Sequence, residues 1–213
     1  GRPLTINWMA ENSPAILETW FAGTQAGNAI ADVLFGDVNP AGRLPVTFPR
    51  NVGQVPIYYN QKSTGRPTTD QKYTSKYLDA PVTPLYPFGH GLSYTQFRLS
   101  NLQVSSQRTP SDGNVSVSVD VENTGRRAGD EVVQLYIRDV VASRTRPVRE
   151  LKGFERVTLQ PNERRRVQFT VTPEHLGFYS RDMRFVVEPG EFRIFVGTSS
   201  IGGLEAESQV TGN

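Results

Sequence analysis

Between residues 115 and 196, apolar side chains return at every second position in four separate runs. These are Val115, Val117, Val119 and Val121; then Val133, Leu135 and Ile137; then Val167, Phe169 and Val171; and last Phe192, Ile194 and Val196. Period two is the mark of a strand with one face buried and one face wet. Turn chemistry separates the runs, at Asn123-Thr124-Gly125, Pro161-Asn162 and Pro189-Gly190. About six to eight short strands at this spacing predict a β-sandwich of immunoglobulin or fibronectin type. The all-β region is expected over residues 96–213 of the 213-residue chain.

The first fifty residues read differently. Ala15 to Phe21 is a mostly apolar run of strand length, suited to a strand buried on both faces of a parallel sheet. A small-residue loop follows, and apolar positions then recur at Ala26, Ile30, Val33 and Leu34, one stripe of a helix. Gly36 is placed to stop that helix, because glycine enters the left-handed conformation without penalty. Strand, loop and helix make one βα unit, and one unit cannot build its own sheet. Residues 1–50 therefore read as the end of an α/β domain, and the chain as the back end of a larger protein.

Residues 51–95 carry Pro56, Pro67, Pro81, Pro84 and Pro87 together with Tyr58, Tyr59, Tyr73, Tyr77 and Tyr86. The prolines exclude long helices and blunt strand pairing. The tyrosines argue against disorder. An ordered connector is expected, lying across the surface of the α/β domain.

Composition excludes several classes. The net charge of +2 is too small to argue for nucleic acid. The run Arg164-Arg165-Arg166 reads as a solvated strand edge rather than an anion-binding patch. With no cysteine there is no disulfide, thiolate or thiolate-bound metal. No apolar run approaches membrane-spanning length. The two histidines, His90 in Gly89-His90-Gly91 and His175 after Pro173, lack metal-site spacing and read as structural or surface residues. No nucleophile elbow, P-loop or dinucleotide fingerprint is present. Glycoside hydrolysis needs two carboxyls flanking one bond, and spacing alone pairs none here. Asp32 and Asp37 read as structural. Trp20 and Phe21 could stack on a sugar ring, but core packing is the weightier reading.

Three blocks in order carry a resemblance. Residues 20–49 (WFAGTQAGNAIADVLFGDVNPAGRLPVTFP), residues 85–97 (LYPFGHGLSYTQF), and residues 132–137 (VVQLYI) with 146–154 (RPVRELKGF) resemble family 3 glycoside hydrolases of the bacterial periplasmic β-glucosidase branch. The resemblance implies an α/β sandwich remnant followed by a fibronectin type III-like β-sandwich. It implies an exo-acting, retaining β-glycosidase that releases terminal non-reducing β-D-glucosyl residues, in the periplasm or secreted. The nucleophilic aspartate would lie in a preceding barrel and the acid/base glutamate in earlier residues of the α/β domain, so no catalytic residue is assigned to this chain. No cofactor or metal is implied. The implied partners are the preceding part of the same enzyme, a β-glucoside or oligosaccharide, and a second copy in a homodimer. Ala22, Gln25 and Ala26 stand where the family usually has proline, glutamate and glycine, and that loop would face the cleft. Thr24 and Gln25 are therefore the substrate-adjacent candidates. The competing expectation is a non-catalytic module that binds carbohydrate or protein, since fibronectin-type sandwiches serve both uses.

Overall fold

The structure, a computed structural model, describes residues 1–212. Two helices come first, α1 (Asn7–Asn12) and α2 (Ala26–Phe35). The β region then runs β1 (Phe97–Val104), β2 (Arg108–Pro110), β3 (Val115–Asn123), β4 (Gly129–Asp139), β5 (Glu150–Leu159) and β6 (Arg164–Val171). After a single helical turn, α3 (Pro173–Leu176), come β7 (Phe178–Tyr179), β8 (Phe185–Val186), β9 (Gly190–Gly197) and β10 (Leu204–Thr211).

Two sheets face each other. One has the order β1-β3-β6 and the other β2-β10-β9-β4-β5; β7 and β8 form a separate hairpin. The alternating residues are what join them. Val115, Val117, Val119 and Val121 of β3 and Val167 and Val171 of β6 pack with Val133, Leu135 and Ile137 of β4 and with Phe192, Ile194 and Val196 of β9. All are buried, while Phe169 is packed on the rim. The period-two pattern thus specifies both the strands and which face turns inward.

The arginine run lies on β6, at an edge of its sheet. Arg164 and Arg166 reach across to Asp120 of β3, and Arg165 reaches back to Glu163 (3.1 Å). Asn101 sits at a bulge in β1 with φ of 54° and donates Nδ2 to Asp120 (2.8 Å). That bond, with the two arginines, holds the Asp120 carboxyl below its ordinary range against partial desolvation. The face is a solvated ladder of mutual bonds. Arg165→Ala is expected to change stability by less than about 1 kcal/mol, since an exposed pair is worth little. A urea midpoint shifted by much more would show that the arginine run does structural work at this edge.

The α/β part corrects one expectation. Helix α2 forms as predicted, and Gly36 closes it in the left-handed conformation with φ of 84°. The apolar run Ala15–Phe21, in contrast, forms no strand. A strand needs a hydrogen-bonded neighbour, and no other segment among the described residues pairs with it; Ile16 and Leu17 stay exposed. On α2 the stripe is only partly covered, with Leu34 and Phe35 facing solvent.

The connector lies across the α/β part, with Leu85 N–H on Phe48 O (2.9 Å), Gly89 N–H on Leu44 O (2.8 Å) and Arg50 Nε on Thr83 O (3.0 Å), and it also touches the β-sandwich. Tyr59 stacks on Phe88 (4.4 Å between centroids) and meets Tyr136 of β4 edge-on (5.8 Å). Lys62 bridges to Pro147. Farther up, Phe48 pairs with Tyr86, tying the stretch after α2 to the end of the connector. Residues 63–79 project from this arrangement and bond mainly to themselves, as in Ser75 N–H to Arg66 O (3.1 Å) and Thr64 Oγ1 to Ser75 Oγ (2.8 Å).

Candidate functional site

Thr24 and Gln25 lie in an exposed turn that leads into α2. Gln25 Oε1 accepts Asn28 Nδ2 at 2.7 Å, so its side chain folds back on the helix start. Just before it, Trp20 adopts a left-handed backbone with φ of 50°, its N–H held by Glu18 Oε1 (2.9 Å). The Trp20 ring meets Phe48 edge-on at 5.9 Å. Trp20 is therefore packed, as the core reading expects, whereas Phe21 is 90% exposed.

The two histidines have local roles. His90 stacks on Tyr86 (5.1 Å between centroids), and its carbonyl accepts Leu44 N–H (2.8 Å). Burial, with the charge of Arg43, keeps its imidazole below the ordinary range. His175 Nδ1 accepts Thr172 N–H (3.0 Å) and so caps α3. Among the described residues, no three His, Asp or Glu side chains are grouped to hold a metal ion. No helix among them is long and apolar enough to cross a membrane. Tyr179 and Phe185 are exposed neighbours on the β7–β8 hairpin, but their rings stand at 70° to each other and form no flat platform for a sugar.

The most developed arrangement is the seam where residues 39–62 and 81–95 meet the sandwich. Asn39 donates Nδ2 to Ala128 O (3.0 Å) and accepts Ser93 Oγ (2.9 Å) and Tyr94 N–H (2.8 Å) on Oδ1. Tyr94 donates its hydroxyl to Val33 O (2.6 Å), so α2 is tied to the start of β1. Arg43 places Nε (3.1 Å) and an outer guanidinium nitrogen (2.5 Å) on Glu131 Oε1 of β4, with both side chains under a tenth exposed. Gln134 Nε2 donates to Thr198 O (2.8 Å) and Gly89 O (3.3 Å), while Gln134 Oε1 accepts the Tyr136 hydroxyl (2.5 Å). Gly89 has φ of 80°, and a Cβ there would lie 2.2 Å from Gln134 Oε1, so only glycine fits. Arg149 lies over the Phe195 ring (3.9 Å) and donates to Ser200 O (2.6 Å). On the outer face of β4, Gln134 and Tyr136 are thereby buried as fully as the core residues of its inner face.

Above this seam the surface turns apolar and uncovered. Trp8, Phe21, Leu34, Phe35, Val52 and Val55 are all exposed. Val55 also lines a cleft of about 400 Å³, together with Pro3, Val46, Ile57, Tyr58 and Phe88. This many large apolar side chains left in water within one short stretch of chain points to a surface that a partner covers.

Residues 1–94 match the glycosyl hydrolase family 3 C-terminal domain, and residues 131–200 match the fibronectin type III-like domain. The chain belongs to glycoside hydrolase family 3. Among curated relatives, the periplasmic β-glucosidase of Salmonella typhimurium is 53% identical over 203 residues, covering 94% of this chain and 26% of that protein. A β-xylosidase of Formosa agariphila is 48% identical over 200 residues, covering 94% of this chain and 27% of that protein. The crystal structure of a β-glucosidase from Listeria innocua in complex with glucose superposes with a TM-score of 0.94 at 45% identity, covering 98% of this chain and 29% of that one. The chain therefore spans about a quarter of the length of the family 3 relatives it matches. Its fold is the family's: the end of an α/β domain, then a β-sandwich.

Sequence reasoning did not find the seam. Gln134 and Tyr136 occupy the positions that alternation assigns to solvent, and Arg43 and Glu131 are 88 residues apart. Neither position carries a local signal of a partner.

Proposed function

We propose that this chain is the C-terminal structural portion of an exo-acting, retaining β-glycosidase of β-glucosidase type. The enzyme would hydrolyse terminal, non-reducing β-D-glucosyl residues through a glycosyl-enzyme intermediate. Its nucleophile and acid/base lie in preceding residues of the same enzyme, outside this chain. The uncovered apolar surface of residues 4–58 carries the reading. It is the surface a preceding barrel and the rest of the α/β domain would bury, while the seam below fixes it rigidly to the sandwich. The β-glucosidase and β-xylosidase names of relatives at 53% and 48% identity support a β-glycoside substrate. The Salmonella relative's name supports a periplasmic or secreted location.

Within this reading Thr24 and Gln25 stand on the cleft rim, where Gln25 replaces a carboxylate with a neutral amide. Residues 1–50, 51–95 and 96–213 serve as sandwich remnant, connector and brace. The assembled enzyme would form a homodimer, which light scattering of that enzyme would check.

The decisive experiment is an aryl β-glucoside assay on the pure chain, alone and mixed with the preceding part of the enzyme expressed separately. No turnover is expected from the chain alone, with activity appearing on mixing. Turnover by the chain alone would overturn the proposal. So would a mixture in which the two parts fail to associate.

A further inference from the structure

The β4–β5 loop, residues 140–149, is gripped from two sides. Ser143 donates its N–H (2.8 Å) and its hydroxyl (2.5 Å) to Glu188, just past the β7–β8 hairpin. On the other side Val148 N–H donates to Gln61 O (2.8 Å), next to the bridge between Pro147 and Lys62. Those two connector residues form the root of the projecting 63–79 segment. Between the grips lies Arg146. It donates to Glu150 Oε1 through Nε (3.2 Å) and an outer nitrogen (2.8 Å), and to Leu176 O (3.3 Å), and its guanidinium lies 4.8 Å from the Phe178 ring centroid.

Asp139, the last residue of β4, sits beneath this arginine with its side chain 3% exposed. Arg146 stands 3.9 Å from its Oδ2, too far for a hydrogen bond. Glu150 takes the short bonds from Arg146 and one from Lys152 (2.8 Å). Three carboxylates, Asp139, Glu150 and Glu188, thus lie within the field of Arg146, and the deepest has no hydrogen bond from a cation, only one from the Val141 backbone. The remaining charges nearby are committed or turned away. On β9, Glu191 and Arg193 pair with each other (3.3 Å); at the hairpin tip, Asp182 pairs with Arg184 (3.9 Å). Strand alternation turns Arg138 to the opposite face from Asp139.

We propose that Asp139 is a proton-operated clasp: taking up a proton from solvent in mild acid, it tightens the β4–β5 loop onto the connector at Gln61 and Lys62. Burial above all pushes its carboxyl up to about 6; Arg146 pulls the other way, Glu188 and Glu150 push it up again, and a backbone bond from Val141 is the smallest pull downward. Opening the loop hydrates Asp139 and returns it to the ordinary carboxylate value. The closed loop therefore binds the proton more tightly than the open one. Closure gains fully below the ordinary value, and the gain is lost as pH rises through about 6.

The test is amide hydrogen exchange in the full chain, corrected for intrinsic rates, read at Val148. Its protection is expected to rise about tenfold from pH 7.5 to pH 5. Asp139→Asn is expected to hold protection constant over that range, because a carboxamide does not titrate between pH 5 and 7.5. Wild-type protection that ignores pH, or a variant that keeps the full rise, overturns the clasp. Should Asp139→Asn fail to fold, the wild-type Asp139 carboxyl carbon, followed by NMR, decides: a midpoint near 6 supports the clasp and one near 4 refutes it.

Discussion

Replacing Arg43 with methionine is expected to cost about 3–5 kcal/mol, because the change leaves the Glu131 carboxylate buried and without its partner. The geometry makes this site severe. Glu131 Oε1 accepts both Arg43 nitrogens and its neighbour's Val132 N–H (2.7 Å), so the charge has been designed around one bound guanidinium. Methionine fills most of the stem's volume but supplies no donor. Glu131→Leu should cost a similar amount from the other side. The double variant Arg43→Met/Glu131→Leu is expected to recover most of the loss, since two apolar side chains remove both buried charges together. A double-mutant cycle by urea denaturation gives the coupling. Hydrogen exchange would locate it: residues 39–48 and 88–95 should lose protection while the strands β3 and β9 keep theirs. A coupling under about 1 kcal/mol would mean that the stacked aromatics and Asn39, not the ion pair, hold the seam.

Much of the fold was legible because the β-sandwich obeys a local rule. Val115 to Val121 alternate, so their register and inward face follow from the residue order, and the structure places all four valines in the core. Gly36 was legible for the same reason: a stripe of apolar residues ends where only glycine enters the left-handed region cheaply. The first fifty residues were legible as α/β in pattern, yet Ala15–Phe21 forms no strand, because pairing depends on a neighbour that must come from elsewhere. The connector's contact with the α/β part was expected, but its second contact, with the β-sandwich, was not. Tyr59 and Phe88 signal an ordered surface segment, but their contact with the sandwich depends on Tyr136, whose position in the alternation suggests solvent. Polar partners far apart in sequence, such as Arg43 and Glu131, carry no periodicity and so leave no trace before the fold is known. The catalytic chemistry is illegible for a simpler reason, since the resemblance itself puts those residues upstream.

Asn123→Ala is expected to lower stability by about 3 kcal/mol or more, and Asn123→Asp by more still at neutral pH. Asn123 is fully buried where β3 leaves the sheet. Its amide is used completely. Nδ2 donates to Arg127 O (2.7 Å) and Leu159 O (3.0 Å), and Oδ1 accepts the Thr95 hydroxyl (2.7 Å) and Gly125 N–H (3.0 Å). One side chain thus joins the β3–β4 turn, the end of β5 and the entry to β1. Alanine leaves two carbonyls and two donors short of partners in the interior, and each buried loss costs about 1–3 kcal/mol, partly recovered by relaxation. For a sandwich of this size the melting midpoint should fall by roughly 10 °C or more. The aspartate variant separates hydrogen bonding from packing, because its shape is almost unchanged. As a carboxylate it would turn an oxygen toward the carbonyls of Arg127 and Leu159, repelling both. Protonation restores one donor, so the aspartate variant should recover toward the alanine variant, or beyond it, as pH falls below about 5. Equal stability of the two variants at every pH would mean that the site is held by volume alone. A pH-dependent gap would show that the turn is fixed by the direction of its hydrogen bonds.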